Sequence, residues 1–259
     1  MIVNKRLQSI SKQSGTPCIY CELFAFTKCM QGVKLKALTV LAGLLAAPAV
    51  WAHSLWIEPH PTGALHVLYG EPEVRVQERS PGKLDTLEFV TGPTAWRKAS
   101  AGFALHDVTG DSNQWVHARA AHVRVNASNP GGAQAMYYAR RAVWPLKATS
   151  ATLTLDIVPS AEPNTVAVYF KGTPMKGGTL KVIAPSLWLQ VHDIDERGLV
   201  RIHAPWAGLY VLEVDTHERR SGELAGRRFE VVTHRATLSF TKADGSVFEA
   251  PLTPQFKAH

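Results

Sequence analysis

The sequence predicts an all-β protein: two β-sandwich domains of the immunoglobulin-like kind, following a cleaved signal peptide. Three observations predict it. Short runs rich in β-branched and aromatic residues recur after residue 53 with turn residues between them. No helical period of useful length interrupts them. Ahead of them, Lys34 and Lys36 precede the apolar run Ala37–Val50. A basic flank, an apolar stretch of this size and small residues at its end make a secretory signal. The run is short of the ~20 residues that a membrane-spanning helix needs.

The expected cut leaves Val50 and Ala52 at the −3 and −1 positions, so His53 begins the mature chain. A cut after Ala49 is the rival. Met30 opens a conventional signal, which makes residues 1–29 an extension or an upstream start. The domains expected are therefore a signal segment over 1–52, an N-terminal sandwich over 53–150 and a C-terminal immunoglobulin-like sandwich over 160–245.

In the first half the strand candidates are Leu65–Tyr69, Val74–Gln77, Leu87–Val90, Trp115–Arg119, Val123–Asn126 and Met136–Trp144. A break follows near Pro145–Pro163, with Leu153–Val158 as a connecting strand. In the second half Thr165–Phe170 and Thr179–Ile183 flank a Gly/Pro turn. Leu189–Asp193 and Leu199–His203 form a hairpin around Ile194–Gly198. Ala207–Val214, Arg228–Val232 and Arg235–Phe240 close the domain. About seven strands in about eighty residues suit an immunoglobulin-like sandwich.

Removing residues 1–52 changes the available chemistry. The whole chain has 28 Lys+Arg against 21 Asp+Glu, a net charge of +7, and three Cys. The first 52 residues carry six of the bases (Lys5, Arg6, Lys12, Lys28, Lys34, Lys36), one acid (Glu22) and all three Cys (Cys18, Cys21, Cys29). The mature 207 residues hold 22 bases and 20 acids, a net of +2. Such a chain offers no disulfide, no Cys-ligated metal and no basic surface for nucleic acid. No Gly-rich phosphate loop, Gly-x-Ser-x-Gly elbow or His-Glu-x-x-His pair occurs.

What remains is histidine. All eleven lie after residue 52, roughly twice ordinary usage. His53 as first residue would offer two nitrogens, its ring and a free α-amine whose proton a metal can displace near neutral pH. One further His would complete a three-nitrogen set suited to copper(II) or nickel(II). His117, on a strand face with Trp115 and Arg119, and His60, on the same N-terminal arm, are the leading candidates. His122 is a weaker one, and His192 with His203 could form a separate pair.

The text His53-Ser-Leu-Trp-Ile-Glu-Pro59 directly after a signal, with Ala52, Trp56 and Pro59 in place, resembles the periplasmic domain-of-unknown-function 4198 family. Lys171–Gly178, Asp195–Gly198 with Gly208–Val214, Ser221–Gly226 and Ala236–Phe240 resemble its later motifs. The resemblance implies a periplasmic component of cobalt/nickel uptake. Such a protein would hold a divalent transition metal ion (nickel, cobalt or copper) and work beside a membrane transporter or a TonB-dependent receptor. It implies no catalytic residue, so a non-enzymatic metal-binding protein is expected. A metal-independent adhesion, carbohydrate-binding or receptor-accessory module, and a copper enzyme built on the same N-terminal brace, are the competing readings.

Intact-mass measurement of the exported protein is expected to give a chain starting at His53. A start at Val50 would place His53 fourth and remove the α-amine from the chelate.

Overall fold

The computed structural model describes residues 53–61, 63–78, 87–88, 96–99, 102–105, 114–119, 123–126, 129–248 and 255–257. The expected signal segment, 1–52, lies outside them, as do His106, His122 and His259. The described residues all fall in one compact unit, 51–259.

They form strands and short turns, with no α-helix among them. The strands are β1 (Ser54–Pro59), β2 (Leu65–Glu71), β3 (Val76–Glu78), β4 (Leu87–Glu88), β5 (Trp96–Ala99), β6 (Gly102–Leu105), β7 (Gln114–Arg119), β8 (Arg124–Asn126) and β9 (Asn129–Arg141). Then come β10 (Leu155–Pro159), β11 (Thr165–Phe170), β12 (Thr173–Pro174), β13 (Thr179–Ile183), β14 (Leu189–Asp193) and β15 (Leu199–Arg201). The long β16 (Trp206–Leu224) and β17 (Arg227–Lys242) are followed by β18 (Ser246–Val247) and β19 (Gln255–Lys257). The all-β expectation holds.

Three sheets result. The largest has nine strands in the order β14-β13-β16-β17-β9-β7-β4, with β8 on β9 and β18 on β16. A four-stranded sheet runs β10-β11-β12 with β15 on β11. A six-stranded sheet runs β19-β3-β2-β6-β5 with β1 on β2. The stretches expected as separate sandwiches, 53–150 and 160–245, share the largest sheet, because β9 pairs in parallel along β17 from Val231↔Ala133 to Ser239↔Arg141.

One face of the nine-stranded sheet carries Tyr138, Leu180, Val182, Tyr210, Leu212, Ala236, Leu238 and Phe240 against Leu155, Ile157, Val166, Val168 and Val200 of the four-stranded sheet. This is the main core. Arg140 ties the layers together. Its guanidinium donates to both carboxylate oxygens of Asp156, at 2.9 and 2.7 Å, with both residues 1% exposed. Asp156 also accepts from the Thr152 and Leu153 amides. A buried ion pair repays its desolvation only when its remaining lone pairs are used, and here they are.

The other face of the large sheet receives β1. Leu55 and Ile57 pack on Val116, Ala135, Tyr137 and Ala139. Trp56, on the opposite face of the same strand, packs on Ile183 and Val211. One edge of β1 pairs with β2 from Ser54↔Gly70 to Pro59↔Leu65. Among the described residues its other edge pairs with no strand. There the carbonyls of His53, Leu55 and Ile57 accept from Arg235, Thr237 and Ser239 of β17. The β1–β2 ribbon therefore meets the sheet by its edge, with β9 on one side and β16 on the other. That is why four consecutive residues, Ser54–Ile57, are all 0–1% exposed. Ser54 also donates to Glu213, which Lys181 pairs at 3.2 Å.

Thr237→Val would leave the buried Leu55 carbonyl without a donor. It should cost about 1–3 kcal/mol in urea unfolding at an unchanged m-value. Arg197→Ala, which removes the exposed Arg197–Glu162 pair, should stay within about 0.5 kcal/mol.

Candidate functional site

The three histidines expected to gather metal lie in three places. His53 is half-buried at the head of β1. Its ring stacks on Tyr69 with centroids 5.4 Å apart, and its carbonyl accepts from Arg235 Nη1 at 3.1 Å. Tyr69 in turn shares a hydroxyl hydrogen bond with Tyr137 at 3.1 Å. His60 lies past the far end of β1, roughly 23 Å away at ~3.3 Å per extended residue. His117 occupies β7 next to Val116. Since Val116 faces the core under β1, alternation sends His117 to the opposite face, where its ring lies 6.4 Å from that of Tyr138.

The structure thus does not bring His53, His60 and His117 together. Among the described residues no group of three or more His, Cys, Asp or Glu is placed to hold a metal ion. His60 instead meets His66 across the β1–β2 hairpin. The two imidazoles stack at 4.1 Å with a 12° interplanar angle. The turn that holds them is closed by His60 N–H to the Ala64 carbonyl at 2.8 Å and Gly63 N–H to the His60 carbonyl at 2.9 Å. His192 and His203 are joined only through Gln190, whose amide nitrogen donates to the His203 carbonyl and whose Oε1 lies 3.4 Å from His192 Nε2.

A polar relay that the sequence did not show crosses the opposite face of the large sheet. Tyr138 and His234 Nδ1 are 2.9 Å apart, His234 Nε2 and Glu218 are 3.2 Å apart, and Lys171 donates to Glu218 at 2.6 Å. Glu218 can only accept when ionised, so Nε2 is assigned the ring proton and Nδ1 accepts from the Tyr138 hydroxyl. Burial lowers the His234 pKa below its ordinary value, with Glu218 opposing the shift. Burial pushes the Tyr138 phenol up to about 12. The Lys171 hydrogen bond holds Glu218 below the usual carboxylate range. A neutral imidazole beside so weak an acid leaves the phenol protonated at neutral pH. The relay joins β9, β17 and β16 and does not activate a nucleophile.

A second constellation lies where β1, β3, β16 and β17 approach one another. Arg75 sits at φ 53°, just past the short 3-10 turn Pro72–Val74. Its Nη2 donates to the Leu209 carbonyl at 3.1 Å. Its Nε and Nη1 are buried without a hydrogen-bond partner, and so is Thr241 Oγ1. The residues Arg75 and Thr241 line a cavity of about 340 Å³ with Glu58, Gln77, Pro185 and Phe248, through atoms other than these three. Glu58 accepts from Trp56 Nε1 at 3.0 Å. Burial raises the Glu58 pKa and lowers that of Arg75, so each charge is incompletely compensated by the other. Nothing local in the sequence hinted at this site, because Arg75 and Thr241 are 166 positions apart.

The relay sets a pH dependence. His234 has a folded pKa below its unfolded value, so the unfolded state takes up the proton first. Stability is therefore full above pH ~6.5 and falls as pH drops through that value, by up to about 1.4 kcal/mol per pH unit for one group. The component due to this group should disappear in His234→Gln, measured as the difference between urea titrations at pH 7.5 and 5.5.

No protein-family model, no curated protein and no solved structure matches the chain.

Proposed function

We propose that the exported chain is a periplasmic metal-binding protein that takes up nickel, cobalt or copper and passes it to a membrane transporter or receptor. The observation that carries this reading is the His60–His66 pair, two imidazoles presented by one hairpin at 4.1 Å. Neutral imidazoles suit these cations; stacked rings aim their nitrogen lone pairs along nearly parallel planes, so binding would turn the two rings out of the stack toward one ion, with water completing the site. Exchange from such a site is fast, as delivery to a partner requires. His53 supports the same reading from the other end of β1, where Arg235 and Tyr69 hold the residue in place. A cut before it would add an α-amine to its ring as a second, separate chelate. The shared core of the nine- and four-stranded sheets favours an immunoglobulin-like description of the 160–245 stretch.

Calorimetric titration of the mature protein with nickel, cobalt and copper should show binding tighter than about 100 μM, worth roughly 5–6 kcal/mol. The double variant His60→Ala/His66→Ala should weaken one site at least tenfold. One residue added before His53 should weaken the other. Absence of binding at 100 μM for all three metals overturns the proposal.

A further inference from the structure

We propose that β14 is the contact edge of a two-fold dimer, in which it pairs antiparallel with β14 of a second copy and joins two nine-stranded sheets into one. β14 (Leu189–Asp193) ends the sheet, and among the described residues no strand lies on its outer side. The ladder to β13 shows which backbone groups are left over. Just past its two ends, Ala184 N–H donates to the Trp188 carbonyl and Ile194 N–H donates to the Gly178 carbonyl, each at 3.0 Å. Hydrogen-bonded and non-bonded pairs alternate along an antiparallel ladder. The register runs unbroken from Thr179↔Asp193 to Ile183↔Leu189. Gln190 and His192 therefore bond inward to β13, while Leu189, Val191 and Asp193 turn their N–H and C=O groups outward. Two of the side chains at that edge are apolar and uncovered, Leu189 at 41% and Val191 at 59% exposed.

The other outer strands described are blunted. β4, β12 and β18 have two residues, β8, β15 and β19 three, and β5 four with Lys98 among them. β10 ends in Pro159, and β1 has its carbonyls capped by β17. β14 has five residues and no bulge, Pro, Lys or Arg. An edge of this kind is a template for another strand. Its own sequence favours a second copy. A two-fold axis at Val191 sets Val191 opposite Val191, Leu189 opposite Asp193 and Gln190 opposite His192. This register uses all three outward N–H and C=O pairs of each strand. Leu189 and Val191 of both copies then form one apolar strip within diagonal reach. On the other face Gln190 meets His192, polar against polar. Each β14 carries one acid and no base. The two Asp193 residues stand at opposite ends, roughly 14 Å apart at ~3.4 Å per residue and beyond a Debye length, so no like charges are opposed. A five-residue edge is small beside a standard interface, which makes the dimer weak and concentration-dependent. The contact is independent of the His60–His66 pair and of any metal.

Single cysteines test the register, because the chain from His53 has no Cys of its own. In Val191→Cys the two thiols face each other across a pair whose Cα atoms are ~5.5 Å apart, inside the range a disulfide spans. In Leu189→Cys or Asp193→Cys each thiol lies roughly 14 Å from its own copy. Under mild oxidation the purified exported protein should therefore form a disulfide-linked dimer at least about tenfold faster as Val191→Cys than as either of these. An equal mixture of Leu189→Cys and Asp193→Cys should link one variant to the other. In sedimentation velocity the parent protein should shift from the mass of one chain toward that of two between about 5 μM and about 1 mM. Val191→Lys sets two ammonium groups opposite each other and should weaken association at least about tenfold. Because Val191 is more than half exposed, that variant should keep the parent's unfolding midpoint in urea. Three outcomes each overturn the proposal: a single-chain mass up to about 1 mM, Leu189→Cys linking to itself as fast as Val191→Cys, or a folded Val191→Lys that associates as the parent does.

Discussion

The free edge of β1 is the constraint on which the rest of the structure depends. A strand edge buried without hydrogen-bond partners costs too much to exist. Here the partners are side chains rather than another backbone. Arg235, Thr237 and Ser239 alternate along β17 at the spacing of the three carbonyls they serve, those of His53, Leu55 and Ile57. Because the edge is satisfied this way, β1 can stand on the sheet with both faces covered. The large sheet is thereby split into a side under Leu55 and Ile57 and a side under Trp56. The cavity at Arg75 lies beyond the far end of this seam, and His53 begins it.

Polar groups inside the molecule are consequently of two kinds. Most close on each other: Arg140 with Asp156, Glu213 with Lys181 and Ser54, and Tyr138 with His234 and Glu218. They fix which layer meets which, since each pair links strands from different parts of the chain. Arg75 and Thr241 do not close in this way.

Much of the strand inventory was legible from sequence. Thr165–Phe170, Thr179–Ile183 and Leu189–Asp193 agree with β11, β13 and β14 to the residue, because alternation and flanking Gly, Pro and Asp all point the same way. The long strands were underestimated: β16 and β17 extend into a shared hairpin through the polar stretch Thr216–Glu223, where no apolar face signals pairing. Partnership was the larger loss. Nothing local in Asn129–Arg141 announces that it pairs in parallel with a strand about a hundred residues later. In Ala236-Thr-Leu-Ser-Phe240 the alternation reads as one buried and one solvent face, yet Thr237 and Ser239 are 1% and 0% exposed. Their hydroxyls are inside because the carbonyls of β1 need them. The histidines show the same limit. Residue type suggested metal chemistry, but the sheet places His53, His60 and His117 apart and pairs His60 with a neighbour that spacing alone did not select.

The side-chain caps on β1 come from residues 182 positions later in the chain. Such a separation makes assembly a late event: loop closure must be paid for before the contact rewards it. As the chain is made or threaded from its N-terminus, Ser54-Leu-Trp-Ile57 emerges among the first parts of this body, and its cover among the last. Until β16 and β17 arrive, an apolar strand with an open edge has only β2 beside it, which is the kind of segment that pairs with other chains. The architecture therefore favours a chain that closes β1 only when nearly all of it is available, and that closes rapidly then.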